Sequence, residues 1–265
     1  MEVLGYIGAV IIGLTMGLLG GGGSVLGVPI LVYLMGVSPI LSTAYSLFIV
    51  GTTAGIGLVG KIKEQRVNYK IGIIFGLPSL VMVYMTRRFI LPMIPDLIAI
   101  SGVGLIIKDL LIMELFALLM LVAAFVMIRK KTYTNSEPKE FGWKTVFIIM
   151  IEGAVVGFLT GMVGAGGGFL IIPALVILFG LDMKMAVGTS LFIIMMKSLV
   201  GFIGDLQVNQ NIDWPFLLTF TALSILGIII GNWLTRYISS KGLKSIFGYF
   251  VLVLAVFIII KEIVL

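Results

Sequence analysis

The sequence predicts an all-α polytopic membrane protein made of two inverted-topology repeats of about five hydrophobic segments each, with helices broken at glycine-rich loops. Three observations carry that prediction. Hydrophobic residues make up 60% of the chain and charged residues only 11%, where soluble domains carry about 25% charged residues. The chain also repeats itself at an offset of 144 residues, without a gap, from Gly13/Gly157 to Gly60/Gly204; 17 of those 48 positions are identical. Finally, equivalent loops of the two halves carry opposite charge. Internal repeats dictate architecture, and in membrane proteins opposite loop bias means opposite sides.

The apolar segments run over 3–19, 24–35, 39–60, 69–88 and 110–128, then 144–163, 168–179, 183–204, 214–236 and 244–263. Segments 24–35 and 168–179 hold 12 residues each, about 18 Å of helix, where a full crossing takes about 20 residues. They read as half-helices, each preceded by a glycine run and each carrying a proline, Pro29 and Pro173. The first segment follows Met1-Glu2 without a basic leader, so it reads as a span that stays. The one polar stretch, 129–143, joins an N-terminal repeat (1–128) to a C-terminal repeat (144–265).

The net charge of +6 comes from bases in short loops and is no footprint for nucleic acid. The loop after the third segment holds Lys61, Lys63, Arg66 and Lys70 against Glu64, whereas its counterpart at 205–213 holds Asp205 and Asp213 and no base. Placing 61–70 and the linker in the cytoplasm puts 205–213 and both termini outside a cell (inner) membrane. Loop 89–109, flanked by Arg87, Arg88 and Lys108, fits this scheme least well.

The two glycine runs are Gly20, Gly21, Gly22, Gly23 followed by Ser24, and Gly164, Ala165, Gly166, Gly167, Gly168. Backbone groups freed at such breaks cannot face lipid, so the runs must face protein or a watery cavity. The helix that restarts after each, expected at Ser24 and at Gly168, would offer amides and a positive dipole end to an anion. Small-residue spacing also serves plain helix packing, and Gly153, Gly157 and Gly161 fit that use. No βαβ pattern surrounds the glycines and no Gly-Lys-Ser/Thr follows them, which excludes dinucleotide and P-loop sites. Cysteine and histidine are absent; no metal site or cofactor is expected, and an enzyme would have only scattered carboxylates to work with.

The pattern Gly-x-x-Gly-x-Gly-Gly-x-x-x-x-x-Pro-x-Leu, read at Gly17–Leu31 and Gly161–Leu175, and the repeated Ser-Leu-Phe at Ser46 and Ser190, resemble the TauE/SafE family of sulfite and organosulfur anion exporters. Ala165 departs from the first copy, where Gly21 stands. The resemblance implies a secondary-active transporter, with sulfite, thiosulfate or a sulfonate as the class of substrate.

Polar residues within apolar segments complete the expected site. Lys197 is a cation at mid-membrane, which costs about 2.5–3.5 kcal/mol on insertion scales and marks function by default. Ser190 and Gly201 share its helical face. In the first repeat Ser46, Thr53 and Gly57 occupy that face, so Thr53 matches Lys197 and the charge breaks the symmetry. Lys197 reads as the charge partner of an anion, with Ser46 and Ser190 adding hydroxyls. Glu152 is the candidate carrier of a coupling proton, sodium being the other coupling ion considered. Asn232 and Thr235 are secondary polar candidates; Glu114 reads as a solvated helix start, and Trp143, Trp214 and Trp233 as interfacial anchors. The function expected is export of a small sulfur-containing anion by alternating access, with the bilayer and that anion as partners and no nucleic acid. An uncoupled anion channel or a structural membrane subunit is the alternative reading.

Overall fold

The computed structural model describes residues 2–95, 97–100, 104–128, 142–177, 179–208, 211–235, 237 and 240–264; most of the basic linker lies outside them. Helices account for nearly all of the described chain. In order they are α1 (Glu2–Leu19), α2 (Gly27–Tyr33), α3 (Pro39–Lys63), α4 (Tyr69–Met85), α5 (Leu91–Met93), α6 (Lys108–Ile128), α7 (Trp143–Val163), α8 (Gly168–Ile177), α9 (Met183–Leu206), α10 (Trp214–Leu234) and α11 (Ser240–Val264). A 3-10 helix, Gly20–Leu26, links α1 to α2, and a π-helical turn, Thr86–Ile90, links α4 to α5. The stretch expected as a loop over 89–109 is more ordered than that. It continues the helix to Met93 and then forms a two-stranded antiparallel hairpin, β1 (Leu97–Ile100) with β2 (Gly104–Ile107).

Local chemistry explains where the long helices begin. Asn68, Asp182 and Asp213 each accept a hydrogen bond from the amide three residues on, at Ile71, Met185 and Phe216. Side-chain caps of this kind satisfy amides that the first turn leaves free. Pro39 and Pro215 stand in the first turns of α3 and α10, where a missing N–H costs nothing.

Among the described residues, six helical stretches are long and apolar enough to cross a membrane: Val3–Tyr33, Pro39–Lys63, Tyr69–Met93, Trp143–Val163, Met183–Leu206 and Trp214–Leu234. The molecule is therefore a multi-pass membrane protein. Large apolar side chains such as Leu77, Val81, Phe125, Phe147, Leu218 and Ile229 stay exposed along the outer faces, as lipid contact requires. The first stretch is not one straight rod. Gly20, with φ +65°, turns the chain, and α2 comes back along α1: Gly23 lies against Thr15 and Met16, Gly8 against Ile30, and Gly5 against Met35.

Contacts between helices fix their directions. Along α1 and α10, Gly13 faces Ser224 and Ile228 while Gly17 faces Gly231 and Asn232, so the two run parallel. Gly153, Gly157 and Gly161 meet Phe75, Ser79 and Thr86 in the same sense, so α7 runs parallel to α4. A side chain at any of these glycines would strike the neighbouring helix. Helix α3 runs with α10, since Tyr45 bonds the Asp213 amide near one end and Gly57 meets Asn232 near the other. Helix α9 opposes α3, with Gly51 against Leu199 and Gly55 against Met195. The first helix of each half thus packs on the fourth helix of the other half. The outer helices follow suit: Phe116 of α6 packs edge-on against Phe169 of α8, and Phe257 of α11 against Tyr33 of α2.

Candidate functional site

The centre of the molecule is where α3 and α9 cross and the two glycine segments pass each other. Gly21 abuts Gly168, and Gly166 lies against Ser24 and Val50. The Gly51–Leu199 and Gly55–Met195 contacts put Thr53 level with Lys197. Every residue from Gly20 to Leu31 is buried, as are Val163 to Phe169.

The two segments are built differently, and here one expectation is corrected. After α7 the chain breaks: Gly164 caps the helix with φ +71°, and Gly166 and Gly167 also hold positive φ, at 63° and 71°. Helix α8 then starts at Gly168, as expected; the Leu170 and Ile171 amides donate to Gly167 O at 3.0 Å, and those of Gly168 and Phe169 have no acceptor one turn back. In the first half no new helix starts at Ser24. The 3-10 turn carries Gly20–Leu26 straight into α2 at Gly27, so Ser24 sits within the helical path and presents no free N-terminus. The reason lies in the conformations: only Gly20 of its run has positive φ, so the chain turns once and winds on.

Lys197 is fully buried. Its ammonium donates to Thr160 Oγ1 at 2.6 Å, and Thr160 donates in turn to Val156 O at 2.7 Å. No carboxylate lies within ion-pair distance of Lys197 among the described residues. The Nζ atom sits beside Gly167, where a Cβ would approach it to 2.8 Å. The hydroxyls of Ser24, Ser46, Thr53 and Ser198 are buried without a hydrogen-bond partner. Buried hydroxyls are normally satisfied. The buried cation thus has one neutral hydroxyl partner, and the same buried centre holds hydroxyls that make no bond.

The remaining candidates are dispersed. Ser46 and Ser190 each stand seven residues from the Thr53/Lys197 level on oppositely directed helices, about 10 Å to either side. Ser46 lies beside Gly27, and Ser190 donates to Val187 O at 2.8 Å. Glu152 is partly buried on α7, eight residues before Thr160, and one of its oxygens has no partner. Asn232 donates to Gly57 O at 3.1 Å, near the end of α10, and its own oxygen is buried and unpartnered. It lines a groove of about 540 Å³ together with Gly60, Lys61, Lys63, Glu64 and Trp233. Thr235 bonds back to its own helix. Trp143, Trp214 and Trp233 stand at helix ends.

Sequence reasoning passed over Thr160, Ser198 and a buried ion pair. Thr160 matches Met16 at the repeat offset, so comparing the two halves position by position, which singled out Lys197 over Thr53, would have found its partner too. Arg87 and Asp205, loop charges by sequence position, form that pair. Both are buried, 3.5 Å apart, with Arg87 on the π-helical turn and Asp205 in the last turn of α9. Neither residue therefore counts as a free loop charge, and the charge scheme loses one exception at Arg87 and one support at Asp205.

Fold and site together define a polytopic helical membrane protein with a buried, polar, glycine-walled centre. The sequence profile described as Sulfite exporter TauE/SafE matches residues 4–258, and the chain belongs to that family. It is 29% identical over 259 residues to a probable membrane transporter protein of Xylella fastidiosa, covering 94% of this chain and 91% of that one. It is 28% identical to the probable membrane transporter protein YunE of Bacillus subtilis, over 92% and 93% of the two chains. A probable membrane transporter protein of Methanocaldococcus jannaschii is 32% identical over 116 residues, 42% of this chain and 43% of that one. No solved structure matches.

Proposed function

We propose that this protein is a secondary-active transporter of a small sulfur-containing anion, such as sulfite, thiosulfate or a sulfonate, and that it binds the anion at Lys197 between two inverted repeats. The observation that carries the reading is a fully buried ammonium whose described partner is one threonine hydroxyl. An isolated ammonium taken out of water costs several kcal/mol even after relaxation, and one charge-assisted hydrogen bond returns about 1.5–3 kcal/mol. A bound anion supplies the missing charge. The Gly168 and Phe169 amides and the Ser198 hydroxyl are its further donors.

The helix directions support alternating access: α1, α3 and α10 run one way and α4, α7 and α9 the other, as an axis in the membrane plane would relate them. Rocking α1 and α10 as one unit against α4 and α7 would open the centre to one side and then the other. The family description favours export, and the loop charges favour a cytoplasmic 61–70 loop in the inner membrane.

The test is anion binding to purified protein, read as thermal stabilisation by sulfite, thiosulfate, sulfoacetate and chloride. A ligand at 100 times its Kd adds about 2.7 kcal/mol to the folded state. Selective stabilisation by a sulfur anion, reduced in Lys197→Met, supports the reading; no shift with any anion sinks it.

A further inference from the structure

Arg87 has more hydrogen-bonding capacity than its surroundings use. One edge of its guanidinium is occupied: Nη1 donates to Thr43 Oγ1 at 2.9 Å and lies 3.5 Å from Asp205 Oδ1. The other two nitrogens, Nε and Nη2, are buried and without a partner. The residue is 1% exposed, so water does not serve them from the surface. Nε and Nη2 together form the fork that receives two oxygens of one group side by side.

The position is also particular. Arg87 lies on the π-helical turn after α4, a distortion often found at functional sites. Gly164, the residue that opens the second glycine segment, has no room for a Cβ because Arg87 Nη2 and Thr43 fill the space. Arg87 thus stands at one end of the segment whose other end, Gly167, meets Lys197. The capping residues Asn68 and Asp213 align α4 with α10 at an offset of 145, which pairs Arg87 with Asn232. The packing agrees, since Arg87 sits by Gly204 and Asn232 by Gly60, two glycines that the repeat also pairs. Asn232 borders the groove at the opposite end of the molecule and likewise carries an unused buried atom.

We propose that Arg87 is a second anion station, taking two oxygens of a small oxyanion on Nε and Nη2 beside Gly164, with Asp205 weakening that station by its like charge. The proposal rests on the reading of the protein as an anion transporter and adds a binding event distinct from Lys197. The fork selects anions with two oxygens on one centre, so sulfite or methanesulfonate binds there and chloride does not.

Calorimetric titration of purified wild type, Lys197→Met, Arg87→Lys and Asp205→Asn with sulfite, and with chloride as control, tests it. Lys197→Met should keep one sulfite site that chloride does not occupy. Combining Arg87→Lys with Lys197→Met should weaken that site at least about tenfold, the value of one charge-assisted hydrogen bond. Asp205→Asn should tighten it several-fold and gain more thermal stability from sulfite than wild type does. Wild type that binds sulfite at one site, entirely lost in Lys197→Met, overturns the second station and leaves the transporter reading intact. Wild type that binds no anion overturns both. Should Asp205→Asn fail to fold, the Arg87→Lys comparison decides alone, since it keeps the charge beside Asp205 and removes only the fork.

Discussion

Lys197 is where residue-scale physics is most explicit. Its burial is unfavourable without an anion, and Thr160 offsets only part of that cost. Lys197→Met should therefore raise the melting temperature in anion-free buffer while cutting stabilisation by sulfite to what the Arg87 station supplies. A lower melting temperature with binding intact would make the lysine a structural element. Thr160→Val should weaken anion binding by up to about tenfold, because the ammonium loses the hydroxyl that holds it toward Gly167. Thr53→Met should matter less, since it removes a hydroxyl and no charge. The lysine itself could be picked out from sequence because a charge inside an apolar helix is conspicuous. Its partner lies 37 residues away, on another helix, and nothing local announces that meeting.

At the scale of elements, the same residue type does two jobs. Gly13, Gly17, Gly227 and Gly231 let α1 and α10 approach, and Gly153, Gly157 and Gly161 do so for α7 and α4. Gly164, Gly166 and Gly167 instead hold backbone conformations that side chains resist. Substitutions should separate the two. Gly157→Leu should lower stability by about 1–3 kcal/mol or more, as overpacking does, read from thermal unfolding. Gly166→Val should lose anion binding with expression still measurable, because a side chain there meets Val50 beside the Ser24 contact. Equal anion binding in wild type and Gly166→Val would remove the second glycine segment from the site. Sequence spacing suggested the packing role for 153, 157 and 161. It did not distinguish the two glycine runs, whose chains differ in where φ turns positive.

For the whole molecule, the exchange of helices between halves ties the fold together: the first helix of each half has its most extensive packing on the fourth helix of the other. The proposed sidedness has a direct check. The natural sequence contains no cysteine, so single substitutions report cleanly. Val208→Cys should react with a membrane-impermeant reagent added outside cells, and Gln65→Cys should react only after the membrane is opened. The opposite pattern would reverse the orientation, and labelling of both from outside would remove the inverted arrangement.

Composition and the 144-residue repeat by themselves determined the class of protein, the ten apolar segments and the position of both glycine runs, because hydropathy and backbone conformation are local properties written residue by residue. Tertiary structure alone decided which of those features converge. It turned α2 back along α1, gave Ser24 a place inside a helical turn, set Lys197 against Thr160, and buried Arg87 with Asp205 across 118 residues of chain. Those outcomes depend on helix direction and register, and these are settled only when glycine faces of distant segments close on one another.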